Sequence, residues 1–468
     1  MALPPLLPPE ILGKIFMSTV EQEPPCNPPA TSNASAEQRL VAALGWVKVT
    51  HVCQRWREIA LAHPSLWTNL DADALTTPWV EAFHNRSLHL PFKCNIDLTI
   101  PRSNNATHTK AVFTSLEFLQ SLRVVYPSSG PSSLYNALWR KRETTKWSNL
   151  RKLAISMKSA GSMPPVVPHF FLNPCETLTS LCLEFGFFPY ERINFPVLEH
   201  LKIHLTPEAL MAALVNNDMS RSCIPSHRKL SALLARHTNL KEVALVDLFP
   251  NAAVGDIDLP LGPREDIQLP PSLQSLCLRG DSQSCIEFAS HCIFPSTTKV
   301  EILTHGERPS DSLPKLLGRI SPMRSLALDC RHYWDLQLRL WDRIVTIDAM
   351  DAVTPKIFLS FGRSEVHNPD TATSSYKARR PCLGLQLSSL TTLLFETSPT
   401  FRDTWHAQTW RDNFAGAVNL EHLYLQGGGA VPGCVEAMSY PVPERCALSY
   451  AAADVRGRRS AGVRSDCG

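Results

Sequence analysis

One spacing recurs along this chain and limits its fold more than any other feature: two large apolar residues three apart, then a third two residues on. It appears as Leu119-x-x-Leu122-x-Val124, Leu150-x-x-Leu153-x-Ile155, Leu178-x-x-Leu181-x-Leu183 and Leu198-x-x-Leu201-x-Ile203. It continues as Leu240-x-x-Val243-x-Leu245, Leu273-x-x-Leu276-x-Leu278 and a degraded Thr297-x-x-Val300-x-Ile302. The last copies are Met323-x-x-Leu326-x-Leu328, Leu390-x-x-Leu393-x-Phe395 and Leu420-x-x-Leu423-x-Leu425. The final two positions of each copy alternate as a strand with one inward face does, and the first is an apolar anchor where the chain turns into that strand. One such strand cannot bury its own inward face, so successive copies must stack.

Helix-like segments precede several copies: Thr206–Val215, Ser226–Arg236, Ser284–His291 and Ser310–Arg319. Helix, turn and strand as a unit predicts a parallel sheet backed by helices. The intervals are irregular, whereas regular leucine-rich repeats run about 20–29 residues. Residues 75–426 therefore read as an irregular leucine-rich-repeat-like α/β solenoid, with loops over Tyr126–Lys146, Phe249–Pro271 and Gly362–Pro381. Ile344–Ile347 and Lys356–Leu359 are candidate weaker strands. After Leu425 the chain runs into Gly427-Gly428-Gly429 and an Arg-containing stretch without apolar period, so residues 427–468 are expected to lie disordered outside the array.

The first 70 residues follow a different rule. Pro8 and Pro9 suit a first helical turn, where a missing N–H costs nothing, and Glu10 follows where the helix dipole favours a carboxylate. Leu7, Ile11, Leu12, Ile15 and Phe16 recur at helical steps. Residues 21–36 hold four Pro with Ser, Thr and Asn, and read as a loop insert. Helical period resumes at Leu40–Trp46 and again at Val49–Leu61, where Val49, Val52, Cys53, Trp56, Ile59 and Ala60 share a face until His63-Pro64 ends it. A short helix over Thr77–Phe83 and an alternating strand over Phe92–Leu98 lead into the repeats.

Composition excludes several function classes. With 468 residues the chain is too long for one core, and 44% hydrophobic against 19% charged residues is a globular balance. A net charge of +3 gives no reason to expect nucleic acid or an acidic membrane as partner, and the basic clusters at Lys141-Arg142 and Arg379-Arg380 read as solvated loop charge. The early prolines interrupt any secretory apolar segment, and no apolar run reaches the roughly 18 residues of a membrane span. The 14 Cys include no Cys-x-x-Cys, so reduced thiols and a cytoplasmic or nuclear location are expected. No phosphate-binding glycine loop, nucleophile elbow or His-Glu-x-x-His is present, so neither an enzyme nor a cofactor is expected. Asp71-Ala72-Asp73 is a chance resemblance to a metal pair; Cys285, His291 and Cys292 have the wrong spacing for zinc and read as buried thiols beside a surface His. No metal is expected.

The two early segments together, Leu-Pro-Pro-Glu-Ile-Leu at 7–12 and Val-Thr-His-Val-Cys-Gln-Arg-Trp-Arg-Glu-Ile-Ala at 49–60 with Pro-Ser-Leu-Trp at 64–67, resemble the F-box, in wording close to F-box-like proteins of basidiomycete fungi. The resemblance covers residues 3–70 and implies a small all-α module that binds a Skp-family adaptor and, through it, a cullin. On that basis Leu6, Leu7, Pro8, Pro9, Ile11, Leu12, Ile15, Phe16, Val52, Cys53, Trp56 and Trp67 are the expected adaptor-binding residues. It also implies a substrate-recognition subunit of a Skp–cullin–F-box ubiquitin ligase, with an unidentified protein substrate held by the repeats. The outward strand positions Lys152, His200, Lys202, Glu242 and His422 are the geometric candidates for that contact. The competing expectation is a leucine-rich-repeat interaction scaffold outside any ligase. Adaptor capture separates the two.

Overall fold

The computed structural model describes residues 7–25, 44–71, 75, 77–97, 116–127, 148–158, 175–184, 193–205, 227–248, 266–305, 316, 325–332, 335–341, 357–362, 387–397, 406–414, 416–426 and 431–439. The chain divides into two compact units: residues 1–225 with 236–240, and residues 226–235 with 241–468.

The first unit opens with helix α1 (Pro9–Gln22), which has Pro at its start and Glu10 in its first turn. A 3-10 segment (Gly45–His51), helix α2 (Gln54–Leu61) and a 3-10 turn (Pro64–Trp67) complete a small helical bundle. Helix α1 runs two residues into the stretch read as insert, and its end is tied to the returning chain. The Trp46 N–H donates to the Glu23 carbonyl at 2.8 Å, and Lys48 pairs with the Glu23 carboxylate. Gly45 makes this junction possible: its φ is +52°, and a Cβ there would lie 2.5 Å from the Glu23 carbonyl oxygen. The chain at Gly45 thus returns to the point where α1 ends, and a long connection costs little extra closure entropy there.

Large aromatics fill the junction between the bundle and helix α3 (Thr77–Arg86). Trp46 and Trp67 meet edge-on at 5.0 Å, and Phe83 closes on Trp67 at 4.9 Å and on Trp46 at 6.1 Å. The Trp67 indole N–H donates to the Ala60 carbonyl at 3.0 Å, and the Arg86 guanidinium lies 4.5 Å from the Trp67 ring centroid. Edge-to-face contact adds about 0.5–1.5 kcal/mol per pair beyond area burial.

Among the described residues the first unit continues as a parallel sheet taken in chain order: β1 (Asn69–Asp71), β2 (Phe92–Asp97), β3 (Leu119–Pro127), β4 (Lys152–Lys158), β5 (Ser180–Glu184) and β6 (His200–His204). The repeat motif is visible atom by atom. Each anchor closes a tight turn: the Leu178 N–H donates to Cys175 O, that of Leu198 to Phe195 O and that of Leu240 to His237 O. Leu150, Leu153 and Ile155, with their counterparts in the next two copies, are buried. A side-chain bond then ties one copy to the one before. Asn149, just ahead of its anchor, donates to the Glu117 carbonyl at 2.7 Å, and Asn239 at the same place donates to the Pro196 carbonyl at 2.8 Å. Thr177 donates to the Leu150 carbonyl at 2.8 Å. The acceptors sit at the turn before the preceding anchor or on that anchor, so the device repeats with the motif.

The second unit holds helix α4 (His227–Arg236, its last residue excepted) and β7 (Glu242–Val246), followed by β8 (Ile267–Gln268) and β9 (Ser275–Asp281). Helix α5 (Ser282–His291) is capped by Asp281, whose carboxylate accepts from the Ser284 N–H at 3.0 Å. Next come β10 (Cys292–Ile293), β11 (Lys299–His305), β12 (Ser325–His332), β13 (Asp335–Trp341), β14 (Ile357–Gly362) and β15 (Thr392–Thr397). Helix α6 (Ala407–Phe414), β16 (His422–Gln426) and helix α7 (Val431–Ser439) are its last described elements. Its main sheet runs β7-β9-β11-β14-β13-β12-β15-β16, and β8 and β10 pair separately.

Several expectations are corrected here. The sheet is not wholly parallel: β13 runs antiparallel to both β12 and β14, so an up-and-down insertion separates β11 from the Met323 copy of the motif. Strand β13, with Leu336, Leu338 and Leu340 alternating, was not among the expected strands, and Ile344–Ile347 lies outside the described residues. The degraded copy is anchored one residue later than its spacing suggests: Thr297 is exposed, whereas Thr298 is buried and donates through its hydroxyl to the Leu273 carbonyl at 2.8 Å. Strand β8 interrupts the loop expected over Phe249–Pro271. The expected disordered tail contains helix α7, which buries Cys434 and packs against α6. The helices expected near Ser226–Arg236 and Ser284–His291 are α4 and α5; Thr206–Val215, and Ser310–Arg319 apart from Leu316, lie outside the described residues. Among the described residues no helix is long and apolar enough to cross a membrane.

Candidate docking surfaces

Helix α1 carries two apolar stripes, and the bundle uses only one. Leu12, Phe16 and Val20 face inward and are buried, with Phe16 against the Trp56 ring at 5.2 Å. Gly13 lies on this inner side, where a Cβ would approach the His63 ring to 3.0 Å, so the helix sits close to the turn that follows α2. The second stripe, Ile11 and Ile15 four residues apart with Leu7 just ahead of the helix, stays in water, with 48% of Leu7, 41% of Ile11 and 43% of Ile15 exposed. The Arg55 guanidinium donates to the Leu7 carbonyl at 2.6 Å, which brings the first turn of α2 to the head of α1. Val52, 61% exposed, and exposed Cys53 immediately precede that turn.

The expected adaptor-binding residues therefore fall into two sets. Leu7, Pro8, Pro9, Ile11, Ile15, Val52 and Cys53 are on the surface. Leu12 and Phe16 are core, and so is Trp67, at 1% exposure with its N–H satisfied internally; none of the three can meet a partner without unfolding the bundle. Trp56 is half-buried, with one side against Phe16. Leu6 lies outside the described residues.

The outward face of the first unit's sheet is a second surface. Its register forms rows across the strands. The first row is Asn69, Lys93, Ser121, Lys152, Ser180 and His200. The second is Asp71, Asn95, Arg123, Ala154, Cys182 and Lys202. The third is Asp97, Val125, Ser156, Glu184 and His204. Lys202 donates to the Glu184 carboxylate at 2.8 Å, and the Cys182 thiol leans on the same oxygen at 3.7 Å. Burial works against the Glu184 charge, but the Lys202 hydrogen bond and charge outweigh it and hold the carboxyl below its usual range. Lys202 is raised in turn, chiefly by the bond to Glu184. Burial first, then the Glu184 charge, push the Cys182 thiol up to about 11.

The five expected substrate-contacting residues do not form one cluster. Lys152, His200 and Lys202 share the first unit's sheet face, the first two in one row. Glu242 and His422 belong to the second unit, on β7 and β16, at opposite ends of its strand order. Lys93 and Arg123 were missed, because strand register, not motif spacing, sets them beside Lys152. Of the rejected metal candidates, Cys285 and Cys292 are buried as expected of structural thiols, but His291 is buried too and is not the surface His expected.

A family model described as F-box-like matches residues 5–73, which span the helical bundle and end just past β1. No curated protein matches the chain.

Proposed function

We propose that the protein is the substrate-recognition subunit of a Skp–cullin–F-box ubiquitin ligase. The bundle docks on a Skp-family adaptor, the adaptor joins a cullin, and a sheet face of the repeats holds a protein substrate. The chain itself performs no covalent chemistry and needs no cofactor or metal in this role. The observation that carries the reading is the outward stripe Leu7, Ile11 and Ile15 on an F-box-like domain whose inner stripe is already packed. A small domain gains nothing from three large apolar residues in water, and side chains of this kind become favourable only when a partner covers them. Val52 and Cys53 extend the same docking surface from the head of α2.

Adaptor capture tests this with the full chain. Wild type should retain a purified Skp-family adaptor, and Ile11→Glu with Ile15→Glu should lose it, since each places a charge in an apolar contact. An unchanged circular dichroism melt shows that the bundle survives, because both positions are exposed. A wild-type chain that fails to retain the adaptor sinks the ligase reading and leaves the repeat scaffold as the function.

A further inference from the structure

The first row across the first unit's sheet differs in charge from the rest of that face. Asn69, Lys93, Ser121, Lys152, Ser180 and His200 include no acid, while Asp71, Asp97 and Glu184 all lie in the rows further along the strands. Lys93 and Lys152 are exposed and flank Ser121, and exposed Arg123 stands two residues beyond Ser121 on the same strand. Among the described residues none of these three cations is engaged in an ion pair or side-chain hydrogen bond, in contrast to Lys202 on Glu184. Between them the floor is low, made by Ser121, Ala154 and Ser180. His200 closes the row, with Glu199 3.8 Å from its ring nitrogen.

We propose that this row is a docking track for an acidic peptide segment that crosses the strands in the polyproline II conformation with a carboxylate at every third residue. Neighbouring strands lie about 4.8 Å apart, so Lys93 and Lys152 are about 10 Å apart, and a peptide in the polyproline II conformation covers about 9 Å in three residues, one full turn that returns the side chain to the same side. Carboxylates at i and i+3 meet the two lysines, Arg123 reaches the first two from the second row, and a carboxylate at i+6 reaches His200. Serine and alanine between the cations let the peptide backbone lie close to the sheet. The proposal rests on the reading that the repeats hold a protein substrate, and it names the chemistry of that substrate.

The test is fluorescence anisotropy of the full-length chain with a short labelled Gly-Ser peptide carrying Glu at every third residue. Comparison probes are a peptide of the same composition with its Glu contiguous, a phosphoserine peptide and a single-stranded oligonucleotide. The spaced peptide should bind most tightly, and Lys93→Glu with Lys152→Glu should weaken it about tenfold or more, since each reversal replaces an attraction by a repulsion. Lys299→Glu, the same change at an exposed strand position of the other unit, should leave it unchanged. Equal affinity for the contiguous peptide, no binding of the spaced one, or insensitivity to the double reversal overturns the proposal. So does tighter binding of the phosphoserine peptide or the oligonucleotide. Adaptor capture is scored separately: the lysine reversals should retain the adaptor, and Ile11→Glu with Ile15→Glu should retain the peptide. A failure of either reading is thereby distinguished from a failure of the other.

Discussion

The helical bundle and the repeat sheet of the first unit solve the same problem, burying apolar area, in opposite ways. The bundle concentrates its contacts in a few irreplaceable side chains: Trp46, Trp67 and Phe83 at one junction, and Phe16 against Trp56 at another. The sheet divides them into near-identical increments, an anchor and two strand residues each, with side-chain bonds such as those of Asn149, Thr177 and Asn239 tying copies together. The bundle can therefore expose a fixed stripe on α1 because its remaining side chains hold that helix in place. The sheet can vary its outward rows freely because none of them carries the fold.

The sharpest way to break this comparison is Trp67→Ala. It removes the centre of the aromatic cluster, the bond to Ala60 and the platform under Arg86. A loss of about 3–5 kcal/mol is expected, read as a drop in the urea midpoint. Hydrogen exchange should rise across the 3-10 segment and α3 together. Leu181→Ala should cost about 2–5 kcal/mol at its own site, and its loss of protection should stay within β4, β5 and β6, as expected where each unit leans only on its neighbours. If Leu181→Ala deprotects the bundle as well, the two regions are one cooperative structure and the contrast fails.

A finer probe is the bond between copies. Asn239→Ala removes a donor to the Pro196 carbonyl and should cost about 0.5–1.5 kcal/mol by thermal melt. Asn149→Ala should cost a similar amount, because it removes the equivalent bond to Glu117. A large inequality would show that the copies are not energetically equivalent.

What could be read in advance follows the same division. The anchors and strands of the repeats were legible because a period repeats its own evidence, and one copy corroborates the next. Thr298 was misplaced because a single missing residue shifts an anchor without disturbing the strand pattern after it. Helix α7 was missed because Val431-Pro432-Gly433 follows three glycines and looks like a chain end. In α1 the apolar residues were legible, but Leu12 and Phe16 could not be told from Ile11 and Ile15. Both pairs keep a four-residue step, and only the position of α2 and the His63 turn decides which stripe is covered. The row of Lys93, Lys152 and His200 was invisible for a related reason: no spacing in sequence states which residues of separate strands become neighbours.

The smallest expected effect tests the electrostatics of the outward sheet face rather than its packing. Cys182 sits between Glu184, which raises its thiol, and Lys202 and Arg123, which lower it; burial contributes most to the net rise to about 11. Because the folded value lies above the ordinary thiol range, the neutral thiol favours the fold at lower pH. That contribution is lost as pH rises through about 11. Alkylation requires the thiolate, so Cys182 should react slowly with iodoacetamide near about pH 9, where an ordinary thiol is substantially ionised. Glu184→Gln removes the largest cause after burial, and should speed alkylation of Cys182 severalfold. Lys202→Met removes an opposing charge and should slow it. Peptide mapping by mass spectrometry reads both rates at one residue while the fold is unchanged. If the two variants move the rate in the same direction, Glu184 and Lys202 do not act on Cys182 as separate charges, and the close contacts around that thiol set its reactivity instead.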